Sequence, residues 1–373
     1  MATSRQHITH KQKYEDILKL MPDYVQEYVL AMEENDRSPS TLLNYLLDYE
    51  DFFYWLLTEG FSSSQTISTI SLSDLATLPL DAARAYFNKV TNEEIVVSKH
   101  EKKTREKTSV NRKKSALRSL FKYLTTQTER AEDGEPYFHR NVMQKISVSK
   151  PKETLNERSR KLTDTIFVDN DDINFLYYLK NEYEKSLSDR QRSYFLRDKE
   201  RDYAIFSLFL ASGIRVNELA DIRLRDVNFK KNRISIIRKG NKLDSIQVIP
   251  DAMNDLKEYL EVRNERYGGS IEEFEYLFLS KYKGKSSPLS VRAIQDLVRK
   301  YTKSYDKGMS PHKLRHTYAT TLMDETNDIT LVMDQLGHTS TSTSVLYVHN
   351  SQEKAKIAAE AMGHRRTKLK NKN

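Results

Sequence analysis

The chain has 373 residues, 61 Lys and Arg against 53 Asp and Glu, a net charge of +8 and no cysteine. That length allows two domains with separate cores, and the lack of cysteine excludes disulfides, thiolate metal sites and cysteine nucleophiles. No stretch approaches the roughly 18 apolar residues of a membrane span, and the N-terminus lacks a signal-peptide pattern, so a cytoplasmic protein with no membrane partner is expected.

The charge is segregated along the chain. Residues 14–60 hold eleven acids and only Lys19 and Arg37 as bases, whereas residues 99–122 hold ten bases against Glu101 and Glu106. Scattered lysines would merely be solvated; a concentration of this kind favours a binding face for a polyanion.

About 20 residues precede the first expected helix. Residues 22–60 read as two amphipathic helices broken at Arg37-Ser-Pro-Ser40, with Ser38 as cap and Pro39 at the first helical position of the second. A further helix over Leu80–Val90 follows a Ser/Thr-rich loop. The basic stretch then leads into a helix over Ser109–Leu124, whose stripe of Val110, Leu117, Leu120, Phe121 and Leu124 is expected to be buried, with Arg112, Lys113 and Arg118 directed away from it. Residues 127–168 show little periodicity and read as a linker. A second, mostly helical unit starts near Asp169-Asn-Asp-Asp-Ile173. It is interrupted by Arg233–Arg238 and Ser245–Ile249, which read as a β-hairpin around Lys239-Gly-Asn-Lys242. The segment from Ser351 begins as an Ala-rich helix and ends in a basic run.

Four short segments could carry chemistry. In Ser310–Met323, Ser310 and Pro311 mark a helix start, Leu314, Tyr318 and Leu322 share an apolar face, and His312, Arg315 and His316 fall at i, i+3 and i+4 on another. Bases at a helix start oppose the macrodipole, which a bound phosphate would reconcile, although surface helices tolerate such bases at under about 1 kcal/mol. A zinc helix is excluded, because Lys313 stands where a His-Glu-x-x-His motif needs its glutamate. In Leu336–Tyr347, Gly337-His338 ends a helix and Tyr347 follows in a short helical run; among 22 tyrosines, one by itself signifies packing. In Ala211–Ala220 an apolar helix stops at Ser212-Gly213, Arg215 opens the next, and Glu218 can hold it as an i, i+3 pair. Lys239 sits in the hairpin turn, where a lysine is ordinarily solvated.

Taken in order and spacing, Arg215, Lys239, His312-x-x-Arg315, Gly337-His338 and Tyr347 resemble the catalytic signature of the tyrosine recombinases and related integrases. The blocks Gly213-Ile-Arg-Val-Asn-Glu-Leu219, Lys239-Gly-Asn-Lys242, Pro311-His-Lys-Leu-Arg-His316 and Leu336-Gly-His338 are similar to the Xer recombinases in particular. The charged Tyr183–Arg201 stretch departs from the paired Xer proteins and looks more like the single-recombinase type of streptococci and lactococci.

The resemblance implies a mainly α fold. Its expected parts are an N-terminal helical, SAM-like core-binding domain over 14–126, a linker over 127–168, and a mixed α/β catalytic domain with a small antiparallel sheet over 169–355. A C-terminal helix and basic tail would follow over 356–373, with the two domains clamping DNA. It further implies that Tyr347 is the nucleophile, forming a 3′-phosphotyrosyl link, while Arg215 and Arg315 hold the non-bridging oxygens. His312 would be the acid–base partner of the tyrosine, Lys239 would protonate the leaving 5′ oxygen, His338 would bond the phosphate and Glu218 would support Arg215. Arg112, Lys113 and Arg118 would contact DNA. No metal, ATP or other cofactor is implied, since ester exchange is nearly isoenergetic. The implied partners are double-stranded DNA with inverted-repeat half-sites, three further copies of the chain on two DNA sites, joined by the C-terminal helix, and a septal DNA translocase. The implied role is resolution of chromosome dimers at a dif-like site. An integrase of a phage or conjugative element is the alternative; a type IB topoisomerase and a non-catalytic DNA-binding protein fit less well.

Overall fold

The computed structural model describes residues 4–98, 101–149, 153–238, 242–268, 274–337 and 340–348, and the chain divides into two compact units, residues 1–152 and 153–373. Lys239, His338 and the segment 351–373 lie outside the described residues.

The N-terminal unit comprises α1 (Arg5–Leu18), α2 (Asp23–Glu34), α3 (Pro39–Thr58), α4 (Leu72–Thr77), α5 (Leu80–Asn92), the hairpin β1 (Glu94–Ser98) and β2 (Glu101–Thr104), and α6 (Lys107–Thr126). Helix α3 starts at Ser38 and Pro39 as expected, although the Ser38 hydroxyl meets Thr41 Oγ1 at 3.0 Å and caps no backbone N–H. Its apolar stripe of Leu42, Leu46, Tyr49, Phe53 and Leu56 is buried against Leu117, Leu120 and Phe121 of α6 in one core. That core buries the aromatic surface that dominates the unit's stability.

Several expectations for this unit need correction. Helix α1 precedes the first helix expected from the sequence and is anchored by its buried Tyr14. The basic stretch before α6 is largely the β1–β2 hairpin. Residues 127–149 are no linker: Phe138, Val142, Met143 and Ile146 complete the same core, and apolar residues too widely spaced for a helix escaped a periodicity argument. Lys113 does not face away from the buried stripe. It lies three residues after Val110 and four before Leu117, which places it on the stripe. It is 5% exposed, with its ammonium 3.2 Å from Asp48 Oδ1 and 2.7 Å from Asp51 Oδ2 on α3. The neighbouring Arg112 donates to the same Asp48 and, at 3.0 Å, to the Asn44 carbonyl, and Arg118 donates to the Ile146 carbonyl at 3.1 Å.

The C-terminal unit comprises α7 (Leu155–Thr163), α8 (Asp171–Asn181), α9 (Asp189–Ser212), α10 (Val216–Asp221), strands β3 (Val227–Asn228), β4 (Arg233–Arg238) and β5 (Lys242–Gln247), α11 (Pro250–Tyr267), the hairpin β6 (Leu279–Tyr282) and β7 (Lys285–Pro288), α12 (Val291–Tyr305), α13 (Pro311–Thr326), α14 (Ile329–Leu336) and α15 (Thr341–Val348). Strands β3, β4 and β5 form one antiparallel sheet in that order, with Arg233 opposite Gln247 and Arg238 opposite Lys242, so the second strand begins earlier than its apolar residues suggested. The apolar end of α9, Ala204–Ser212, is buried on every side and is the axis of the core. Here too the expected linker is replaced by structure. Helix α7 is set by a Thr154–Glu157 capping box, its Ser159 hydroxyl donates to the Leu346 carbonyl of α15 at 3.2 Å, and Ile166 and Phe167 enter the core. Among the described residues no helix is long and apolar enough to cross a membrane.

Candidate active site

Two glycine turns shape the site. Gly213 ends α9 in the left-handed conformation (φ +61°), and a Cβ there would lie 2.5 Å from Tyr318 Cδ1. Gly337 ends α14 in the same way (φ +60°), where a Cβ would lie 2.7 Å from Arg238 Cζ. Both turns therefore need glycine for conformation and for space.

The carbonyls that these turns deliver are taken by Arg315. This residue is 3% exposed in the second turn of α13, and its two terminal nitrogens donate to the carbonyl of Gly213 and, at 2.6 Å, to that of Leu336. Arg215 opens α10. Its Nη1 donates to Glu218 Oε1 at 2.8 Å while its backbone N–H donates to Glu218 Oε2 at 3.0 Å, so one buried carboxylate both caps the helix and holds the guanidinium. Arg238 approaches from the end of β4, 3.6 Å from the same Glu218 oxygen. Burial first, then the charge of Arg215 and, less strongly, of Arg238 push the Arg315 guanidinium down to about 10, against the opposing pull of Glu218. Two buried guanidinium groups, Arg315 and Arg238, and the partly exposed Arg215 thus gather around one buried carboxylate, an arrangement able to receive an anion.

On the same helix, the His316 Nδ1 lies 2.7 Å from the Tyr347 hydroxyl, and the His312 ring meets His316 edge-on at 4.3 Å. Tyr347 is only 1% exposed, held by α15 in a small core with Ala319, Met323, Val332 and Leu336. Burial pushes its phenol up to about 12, although Arg315 pulls the other way, so the hydroxyl is protonated at neutral pH, and the tautomer of His316 sets which of the two groups donates. His312 remains accessible at the surface. Protein atoms crowding its ring, then Arg315 and Arg215, hold it below its ordinary value.

The structure therefore brings together Arg215, Glu218, His312, Arg315 and Tyr347. Arg112, Lys113 and Arg118 belong to the N-terminal unit, and Lys239 and His338 fall outside the described residues, directly after Arg238 and Gly337 in the chain. Tyr347 is hydrogen-bonded to His316, one helical turn beyond His312, the residue expected as its acid–base partner. Arg238 was missed altogether. Its signal was the period-2 pattern of β4, which puts Arg238 on the same face as the buried Ile234 and Ile236.

A family model described as the phage integrase family matches residues 178–354. Over 349 residues, 94% of this chain and 98% of the relative, the sequence is 38% identical to tyrosine recombinase XerS of Streptococcus thermophilus (strain CNRZ 1066) and 39% identical to that of Lactococcus lactis subsp. lactis (strain IL1403). The chain is a tyrosine recombinase. The recombinase also shares its fold with solved structures. One is the XerH site-specific recombinase in a post-cleavage complex with palindromic difH substrate (TM-score 0.58, 19% identity, 86% of this chain and 80% of that one). Another is a lambda integrase dimer bound to a COC′ core site (TM-score 0.55, 15% identity, 88% and 95%). At such identities the likeness concerns architecture alone. Within it, the recombinase presents a buried phenol, two imidazoles and clustered guanidinium groups, a set able to attack and stabilise a phosphodiester.

Proposed function

We propose that the recombinase breaks double-stranded DNA by attack of the Tyr347 hydroxyl on a phosphodiester, forming a 3′-phosphotyrosine and releasing a 5′-hydroxyl, and rejoins it by the reverse reaction. The observation that carries this reading is the Tyr347 hydroxyl, hydrogen-bonded to His316 within the field of Arg315. A phenol held near 12 is a poor nucleophile until its proton has an acceptor, and the His316 Nδ1, 2.7 Å away, would supply one in the tautomer that carries its proton on Nε2. His312, edge-on to His316, is the second imidazole of the acid–base pair. Arg315 and Arg215 would face the two non-bridging oxygens, where charge accumulates in the transition state. By the family resemblance, Lys239 protonates the leaving 5′ oxygen and His338 adds a phosphate hydrogen bond. The unit of residues 153–373 would then be the catalytic domain and that of residues 1–152 the DNA-binding domain, with the exposed side of Arg112 and Arg118 toward phosphate.

The likeness to XerS over 94% of the chain favours chromosome-dimer resolution over mobility of a phage or conjugative element. Under that reading two inverted-repeat sites are joined by four copies of the chain in the cytoplasm, under control of a septal DNA translocase, without a cofactor. The cleavage step is tested with a nicked substrate that traps the covalent complex. The unaltered recombinase is expected to become linked to the DNA, whereas Tyr347→Phe should bind DNA and remain unlinked. Linkage persisting in Tyr347→Phe would overturn the assignment.

A further inference from the structure

Arg238 stands at the end of β4 with 9% of its surface exposed, on the face that strand alternation reserves for Ile234 and Ile236. A guanidinium in that position has to find acceptors, and it finds them on three different elements. Its Nε donates to Asp244 Oδ2 on the opposing strand at 2.8 Å. Its Nη2 donates to the Gln335 carbonyl and its Nη1 to the Leu336 carbonyl at the end of α14, both at 3.0 Å. The same Nη1 lies 3.6 Å from Glu218 Oε1.

Two of these acceptors are shared with the site. The Leu336 carbonyl also receives Arg315 at 2.6 Å, and Glu218 Oε1 also receives Arg215 at 2.8 Å. Gly337 has no Cβ where one would strike the Arg238 guanidinium, so the turn after α14 is shaped around this side chain. A planar fork of five donors can span acceptors in these directions, which a lysine ammonium cannot.

We propose that Arg238 is a positioning residue that fixes where Arg215 and Arg315 stand, through the carboxylate and the carbonyl it shares with them. It does not touch the substrate in this role. Its fixed positive charge has a second effect, adding to the forces that lower Arg315 and keeping Glu218 from neutralising Arg215 alone. The inference rests on the reading that Arg215 and Arg315 serve the scissile phosphate.

The test is the single-turnover rate of covalent DNA–protein complex formation at saturating DNA, for Arg238→Gln alone and combined with Arg215→Lys or Arg315→Lys. Misplacement of the two arginines should slow Arg238→Gln by about 10- to 100-fold with DNA affinity unchanged. On the Arg315→Lys or Arg215→Lys background the same change should cost no more than about threefold, because residues acting through one another are not additive. Defects that multiply on both backgrounds, or a defect that vanishes at saturating DNA, would overturn the proposal. Should Arg238→Gln fold poorly, Asp244→Asn serves in its place, since it loosens the guanidinium from the surface side only. A slowing of a few-fold that disappears on the Arg315→Lys background supports the proposal; no slowing, or slowing that multiplies, contradicts it. The readout needs only a measurable cleavage rate. Failure of the Tyr347 assignment would show separately, as linkage in Tyr347→Phe.

Discussion

Lys113 in the N-terminal unit and Arg315 in the C-terminal unit are both buried cations on long helices, 5% and 3% exposed, yet their surroundings differ. Lys113 sits between the carboxylates of Asp48 and Asp51, and its charge is cancelled within the fold. Arg315 is held by two carbonyls, with Arg215 and Arg238 nearby and the carboxylates of Glu218 and Asp244 serving those two arginines. Carbonyl dipoles orient a guanidinium without neutralising it. A buried cation set between two carboxylates belongs to the architecture; three guanidinium groups gathered around Glu218 and Asp244 suit an anion from outside, which under the proposed function is a DNA phosphate.

The largest expected effect separates the two directly. Lys113→Met leaves Asp48 and Asp51 short of their ammonium and should cost about 3–5 kcal/mol of stability, read by urea unfolding. Covalent-complex formation per folded molecule should change little. Arg315→Met should do the opposite, slowing covalent-complex formation by about 10²- to 10³-fold. It should cost less stability than Lys113→Met, because it also relieves repulsion with Arg215 and Arg238. A greater stability loss from Arg315→Met, with the rate preserved, would reverse the contrast.

A smaller effect sharpens it. In the free recombinase His312 titrates below its ordinary value, because its ring is crowded and Arg315 and Arg215 repel a further proton. The stability linked to this group is therefore present above the unfolded pKa of about 6.5 and is lost as the pH falls through the lower folded value. A phosphate between the arginines would offset their charge. The His312 resonance, followed by NMR in Tyr347→Phe bound to duplex DNA, should therefore titrate at higher pH than in the free protein. An unchanged or lower midpoint would mean that no phosphate sits beside Arg315 and Arg215.

Where the sequence was legible, a local rule sufficed. Ser38-Pro39 and Ser310-Pro311 open helices, Gly213 and Gly337 close them, and the motifs that resemble the tyrosine recombinases hold Arg215, Arg315 and Tyr347, which the fold brings to one place. What was hidden depended on partners distant in the chain. Nothing near Phe138 or Met143 indicates that they fill a core built by α3 and α6. The charge of Lys113 suggests a surface base, whereas the 3.6-residue period puts it on the buried stripe; Asp48 and Asp51, some sixty residues earlier, explain why it is tolerated there. The preference of Tyr347 for His316 over His312 is likewise a matter of how α15 packs on α13, which no spacing reveals.

The most direct measurement is mass spectrometry of the peptide left on DNA after the trapped complex is digested with protease. The expected result is a single adduct, a phosphodiester between Tyr347 and a DNA 3′ end. An adduct on another of the 22 tyrosines, or linkage to a 5′ end, would contradict the proposed chemistry.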